Sequence, residues 1–351
     1  MASIKQRKRR KRQRHGTRIA AVLICLVLIA GAGVTAGLLI WAQSRGCVKA
    51  YEAAVYNKSL YQGSLFAGDL CVASDEVSLE GFQSESISAA GLFDLEQKNV
   101  LCGERIFEQV YPASTTKSMT AYLALKYGNL DDTVTVSAHA TDFNWDESVA
   151  GLQTGDTLTL YDLICGLMIQ SGNDCGTAIA EYISGSEEAF AELMNQEAAA
   201  LGATGTHFVN PHGLHDDNHY TTAYDLYLIF NECLKDQRFL DIIALDSYTA
   251  SITGADGTVR AVTWYPTNYY SAGITTPPEG IHVIGGKTGT TDQAGNCVVL
   301  YEEDSGGKPY ISVIMGAPDK SVLYEEMNLL LAAGSRTGLQ KTRQVSEEYL
   351  F

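Results

Sequence analysis

Ser114 and Lys117 stand three residues apart in Tyr111-Pro112-Ala113-Ser114-Thr115-Thr116-Lys117, just ahead of a run in which Met119, Tyr122, Leu123 and Lys126 recur at three- to four-residue spacing. That period predicts a helix, and Gly128-Asn129 ends it. Pro112 lacks an N–H donor and suits a helix start, which puts Ser114 in or near the first turn. Residues three apart share a helix face, so Lys117 Nζ can reach Ser114 Oγ. A serine hydroxyl is a poor nucleophile until something takes its proton. A neutral lysine one turn later can take it, and the positive helix N-terminus favours the oxyanion that results.

Ser-x-x-Lys alone arises easily by chance, because both residues are common on helix surfaces. Two later stretches change its weight. Ser171-Gly172-Asn173 lies 57 residues beyond Ser114, between two helical patterns. Lys287-Thr288-Gly289 lies 116 residues beyond Ser171, in Ile284-Gly285-Gly286-Lys287-Thr288-Gly289-Thr290-Thr291. Ser-x-x-Lys, Ser-x-Asn and Lys-Thr-Gly in that order are the three signatures of penicillin-recognising serine enzymes.

The elements that must hold these residues can be read from the periodicities. Ser86–Asp94 and Val100–Cys102 predict a hairpin closed around Glu96–Asn99. After Gly128 the pattern turns helical. Thr159-x-x-Asp162 resembles a capping box, and Leu160, Leu163, Ile164, Leu167 and Met168 form a stripe that ends at Ser171. Further helices are expected over Asp174–Ile183 and Glu187–Leu201, the latter stopped by Gly202, and after Thr222-x-x-Asp225. Strands return at Thr258–Thr263, Val283–Thr288, Asn296–Tyr301 and Tyr310–Met315, and Ser321–Ala333 closes as an amphipathic helix. The expected fold is an α/β sheet domain over 85–333, interrupted by an all-helical subdomain at about 129–250.

Before this domain the chain changes character. The first eighteen residues hold nine Lys or Arg and no acid, whereas Ile19–Ala42 carries no charge over 24 residues. Such a run is long enough to span a hydrocarbon core of about 30 Å. The expectation is a cytoplasmic tail over 1–18, an uncleaved transmembrane helix over 19–42 and a stalk over 43–84, with everything after Gln43 outside the cell. A cleaved secretion signal is the rival, although its apolar core is usually about 7–15 residues. From Ile19 onward sixteen basic residues face 41 acidic ones, a net of −25. An exterior that acidic argues against binding nucleic acid. The eight cysteines match no zinc template, and Cys165 and Cys175 fall on apolar helix patterns as buried thiols. If any pair is bridged, Cys71 with Cys102 is the choice, both lying near the start of the domain.

From Ser86 to Ala333 the chain resembles the D-alanyl-D-alanine carboxypeptidases, the low-molecular-mass penicillin-binding proteins, a resemblance that implies an antiparallel sheet with flanking helices and the active site in a cleft beside a helical region. Besides the three signatures, the resemblance rests on Met194-Asn195, on Leu201-Gly202-Ala203-Thr204-Gly205-Thr206-His207-Phe208-Val209-Asn210-Pro211-His212-Gly213-Leu214, on Tyr220–Leu226 and on Ala294-Gly295-Asn296-Cys297. It implies that Ser114 attacks the carbonyl between two D-alanines, that Lys117 takes its proton, and that Ser171 relays a proton to the leaving amine. Asn173 would orient Lys117 and the substrate backbone. Lys287, Thr288 and Thr290, around Gly289, would receive the terminal carboxylate, and the N–H groups of Ser114 and Thr290 would form the oxyanion hole. The implied partners are peptidoglycan stem peptides as substrate, β-lactams as covalent inhibitors, and the bacterial cell membrane through the N-terminal anchor. No cofactor or metal is expected. Two departures stand out. Thr290 follows Lys-Thr-Gly where the family often has an aromatic residue or His, and Met315–Lys320 lacks an Arg many relatives use for the carboxylate, so that contact is either missing or moved to Lys320. The 18 residues after Ala333 are too few for the second, β-rich domain of many relatives, so attachment is expected to fall to the N-terminal anchor.

Other arrangements fare worse. His212, His215 and His219 with Asp216 and Asp217 could suggest a metal site, but the stretch has no helical pattern. No G-x-S-x-G elbow supports a Ser-His-Asp triad. A β-lactamase would need an E-x-x-L-N base about 35 residues after Ser171, where Thr206-His207 stands instead. A transpeptidase or endopeptidase shares all three signatures. A silent penicillin sensor would be expected to have lost one.

Overall fold

The computed structural model describes residues 67–348. The tail expected at 1–18, the anchor expected at 19–42 and most of the stalk expected at 43–84 lie outside the described residues. Among the described residues no helix is long and apolar enough to cross a membrane. Residues 69–351 form one compact unit.

The chain opens with a hairpin, β1 (Ala89–Asp94) and β2 (Asn99–Glu104). A 3₁₀ turn at Ala113–Thr116 leads into α1 (Lys117–Tyr127). Then follow β3 (Thr133–Thr135), β4 (Thr157–Thr159), α2 (Leu160–Cys165), α3 (Asn173–Ser184), α4 (Glu187–Ala200), α5 (Ala223–Cys233) and α6 (Gln237–Ile243). The chain returns to sheet with β5 (Tyr248–Thr253), β6 (Val259–Trp264), β7 (Ile281–Thr291), β8 (Gly295–Asp304) and β9 (Pro309–Ala317), and ends on α7 (Lys320–Glu348). The main sheet is antiparallel with order β2-β1-β9-β8-β7, so among the described residues β7 is an edge strand that pairs only with β8.

Side chains alternate across a strand, and the main sheet uses both faces. Cys297, Val299, Ile311, Val313 and Met315 join a core with α1 and α5, while Val298, Leu300, Tyr310 and Ile314 join a second core under α7. Helix α1 therefore lies in the middle of the molecule. Met119, Ala121, Leu123 and Ala124 are buried, and so are Lys117, Ser118 and Thr120.

Three expectations are corrected. The insert is not all helical: β3 and β4 join the β5–β6 hairpin in a small second sheet, order β3-β4-β5-β6. Strands of three residues are too short to show a period, and they exist only through pairing with distant segments. Cys71 and Cys102 are free thiols. They belong to the two separate cores, which stand on opposite faces of the main sheet. The folded unit also begins before residue 85. The Cys71 N–H donates to Tyr227 Oη at 2.7 Å, Val77 bridges to Gly103, and Leu79 and Phe82 are buried.

Candidate active site

Ser114 sits in a segment pinned from two sides. The 3₁₀ turn is tied back by Thr115 Oγ1, which donates to Pro112 O at 2.6 Å. Ala113 is forced to φ +47°, a conformation a side chain rarely takes. Gly213 presses against it, and a Cβ there would lie 1.9 Å from Ala113 O. Only glycine allows that approach, at φ +90°. Strained backbone of this kind tends to collect at functional sites.

Lys117 points back along the helix to Ser114, with Nζ 2.8 Å from Ser114 Oγ. The same nitrogen lies 2.8 Å from Asn173 Oδ1 and 2.7 Å from the carbonyl oxygen of His212. Lys117 is fully buried. Burial pushes its pKa well below the ordinary lysine value, and the charge of Lys287 adds to the effect while Asp174 opposes it. A neutral amine has two N–H bonds and one lone pair. Asn173 Oδ1 and the His212 carbonyl can only accept, so they take the two N–H groups and the lone pair faces Ser114 Oγ. In that geometry a neutral amine can take the proton of the hydroxyl.

The second stretch is placed by local chemistry. Thr159 and Asp162 form the expected capping box at the start of α2. The helix widens into a π turn at Gly166–Gln170, and Ser171 then reverses the chain at φ +62°. Asn173 opens α3, held by its N–H donating to Ser148 O at 2.8 Å. The buried Asp174 carboxylate accepts the N–H groups of Ala150 at 2.8 Å and Leu152 at 3.0 Å. Ser171 Oγ accepts from Lys287 Nζ at 2.9 Å.

Lys287 and Gly289 share one face of β7. Lys287 is fully buried, donates a second bond to Thr288 O at 2.9 Å, and has its pKa lowered to about 7 by burial. Gly289 brings the strand against Ser114: a Cβ there would lie 2.8 Å from Ser114 N. The backbone amides of Ser114 and of residue 290 are thus close neighbours. Thr288 and Thr290 alternate to the other side. Thr288 Oγ1 lies 2.6 Å from Thr267 Oγ1, and Thr290 Oγ1 donates to Asn296 Oδ1 at 3.0 Å. Lys320 Nζ stands over the Tyr269 ring, 5.4 Å from its centroid.

The structure therefore joins Ser114, Lys117 and Asn173 in one hydrogen-bonded group and Ser171 with Lys287 in a second, near enough for the Lys287 charge to act on Lys117, while the hydroxyls of Thr288 and Thr290 engage Thr267 and Asn296. The His212 carbonyl was missed from sequence, since a backbone acceptor has no residue type to betray it. His219 also backs the site. Its Nδ1 accepts Val209 N–H, so Nε2 carries the proton toward Thr116 Oγ1 at 2.8 Å. Burial holds its pKa down at about 3.

The sequence model of the D-alanyl-D-alanine carboxypeptidase family matches residues 80–319. The chain belongs to this family. It is 33% identical over 239 residues to D-alanyl-D-alanine carboxypeptidase DacF of Bacillus subtilis, covering 65% of this chain and 57% of that one. It is 34% identical over 215 residues to the D-alanyl-D-alanine carboxypeptidase of Streptomyces sp. (strain K15), covering 58% and 72%. The crystal structure of the Streptomyces K15 DD-transpeptidase superposes with a TM-score of 0.67 at 26% identity, over 73% of this chain and 99% of that one. The match spans 57–66% of the length of DacF and of DacA from Haemophilus influenzae and DacC from Escherichia coli.

Proposed function

We propose that this chain is a serine-type D-Ala-D-Ala carboxypeptidase that trims the terminal D-alanine from peptidoglycan stem pentapeptides and is acylated by penicillins. The observation that carries the proposal is the 2.8 Å contact between Ser114 Oγ and the fully buried Lys117 Nζ. Ser114 attacks the carbonyl between the two D-alanines as Lys117 takes its proton. General-base help of this kind is worth about 10²–10⁴ in rate. The amides of Ser114 and Thr290 receive the oxyanion, each such donor worth about 10²–10³. Ser171, hydrogen-bonded to the Lys287 ammonium, passes a proton to the departing D-alanine amine. Lys287 supplies the positive charge opposite the terminal carboxylate, with Thr288 and Thr290 beside it. Asn173 holds Lys117 and orients the substrate backbone. Water, activated by the same lysine, then frees Ser114 and releases the tetrapeptide.

The uncharged run at 19–42 after nine basic residues supports an N-terminal membrane anchor with the catalytic unit outside the bacterial cell membrane. The test is to incubate the full-length protein with a stem pentapeptide and assay free D-alanine. Release that disappears in Ser114→Ala supports the proposal; no release, or release that survives Ser114→Ala, sinks it. A second reading, transpeptidation, is favoured by the likeness to the K15 DD-transpeptidase. Adding an amine acceptor separates the two, because a transpeptidase then forms a cross-linked product at the expense of tetrapeptide.

A further inference from the structure

Glu187 is a carboxylate beside the site that the chemistry above leaves unused. It opens α4 and is largely buried, its side chain 17% exposed. Burying a carboxylate is unfavourable unless its oxygens are bonded, so its partners say what it holds. Oε1 accepts the Thr177 hydroxyl and lies 3.5 Å from His212 Nε2, while Oε2 stands 3.9 Å from the exposed His139 Nε2. His212 Nδ1 accepts the Leu214 N–H at 3.3 Å, so the ring proton sits on Nε2, the nitrogen that faces the carboxylate. The imidazole is itself buried and is backed edge-on by Phe143 at 5.5 Å.

The two groups that meet at Oε1 belong to the two elements that hold Lys117. Thr177 lies one turn after Asn173 on α3, so the two share a face of that helix. Asn173 Oδ1 takes one N–H of Lys117 at 2.8 Å, and His212 O takes the other at 2.7 Å. Helix α3 and the loop at His212 are in close contact: a Cβ on Gly176 would lie 3.4 Å from His212 Cβ and 3.5 Å from Pro211 O. The loop is tied elsewhere as well. Asn210 Oδ1 accepts the Gly213 N–H at 2.7 Å, and Thr120 Oγ1 donates to Pro211 O at 2.6 Å. Those bonds anchor the loop to itself and to α1, whereas Glu187 joins it to α3.

We propose that Glu187 is a positioning residue for Lys117. By clamping Thr177 to His212 it fixes the spacing of the two acceptors, and that spacing turns the lone pair of the amine toward Ser114 Oγ. The clamp rests on the reading of Ser114 and Lys117 given above. Glu187 acts through His212 and Thr177, at one remove from the reacting atoms, so it governs the rate of proton transfer and leaves substrate affinity alone. Without the carboxylate the buried His212 N–H loses its acceptor, and relieving that loss shifts the carbonyl of the same residue.

The test uses the full-length protein and a fluorescent penicillin. Three quantities are read separately: the acylation rate constant at saturation, the concentration giving half that rate, and the total label bound per protein. Glu187→Ala is expected to lower the rate constant about ten- to hundredfold, the scale of a displacement approaching about 1 Å. The half-maximal concentration should stay within about twofold, since only the proton-transfer step is touched. Glu187→Gln keeps an oxygen for Thr177 and His212 and should recover most of the loss. General damage lowers the total label and leaves the rate constant of the surviving molecules unchanged, so the rate constant separates lost positioning from lost fold. In His212→Phe, which keeps a ring but has no ring N–H, adding Glu187→Ala should slow acylation much less than it does in the parent. A Glu187→Ala rate constant equal to the parent's, Glu187→Gln as slow as Glu187→Ala, or an equal loss in both backgrounds would overturn the clamp while acylation of Ser114 stands. A parent that takes up no penicillin and releases no D-alanine would overturn the reading of Ser114 and Lys117, and the clamp with it.

Discussion

Replacing Gly289 by Ala adds one methyl group where the edge strand meets the nucleophile. The built Cβ lies 2.8 Å from Ser114 N, 2.9 Å from Pro112 O and 3.0 Å from Ala113 Cβ. Ordinary contact starts near 3.4 Å, so strand and turn must part by about 0.6 Å. Two of the three obstructing atoms are backbone, and Ala113 is already strained at φ +47°, so the turn has little room to yield. Strand β7 ends the sheet, paired with β8 alone among the described strands, and is the part expected to move. A misplacement of about 1 Å costs about 10² in rate, so 0.6 Å corresponds to roughly ten- to thirtyfold. Expressed as a barrier, that is about 1.4–2 kcal/mol. The assay is the first-order acylation rate with a fluorescent penicillin at saturation, with the thermal midpoint measured alongside. The expected result is an acylation rate down ten- to thirtyfold with a folded protein. Acylation within twofold of the parent would refute the claim that this contact sets the distance from Ser114 to the amide of residue 290.

Three further outcomes follow from the same geometry. Lys117→Arg should lose about 10²–10⁴ of the acylation rate, because a guanidinium stays protonated throughout the working range; near-parental acylation would remove Lys117 from the mechanism. Lys287 has its pKa lowered to about 7, so its cation fades as pH climbs past 7 and KM for a peptide with a free terminal carboxylate should rise there; a KM flat from pH 6 to about 9 would count against Lys287 as the carboxylate's cation. Glu302 is fully buried, with Oε2 bonded to Ser312 Oγ at 3.1 Å and Oε1 without a partner among the described residues. Burial raises its pKa well above the ordinary value, so its contribution is favourable below about 4.3 and is lost as pH rises toward the folded-state pKa. Glu302→Gln should therefore gain on the parent in thermal midpoint between pH 4.5 and 8, and a constant gap would contradict the assignment.

Much of this site was legible because its chemistry depends on residue type and local spacing. Ser114 and Lys117 meet because three residues make one helical turn. The Thr159–Asp162 capping box formed because both partners lie within one turn, and the Thr222 hydroxyl accepts the Asp225 N–H for the same reason. What escaped notice depends on distant parts of the chain or on the backbone. Strands β3 and β4 exist through pairing across the insert, so three-residue runs of Thr and Val or Leu gave no warning. Helix α6 is only seven residues long and starts from an Asp236 cap in a charged stretch. The positive φ of Ala113 and Ser171 is imposed by packing, since neither residue type asks for it. Asn296 stands in the Ala-Gly-Asn-Cys stretch, yet its bond to Thr290 follows only from the β7–β8 register, which sets the two opposite each other.

The central claim is that Lys117 works as a neutral base, and the pH dependence of acylation tests it most directly. Only the unprotonated amine can take the Ser114 proton, so the acylation rate at saturating penicillin must rise with pH and level off above the folded-state pKa of Lys117. Burial and the Lys287 charge set that value well below the usual 10.5. The account predicts a plateau reached well short of pH 10. A rate that still climbs about tenfold per pH unit toward the ~10.4 of a free lysine would contradict it.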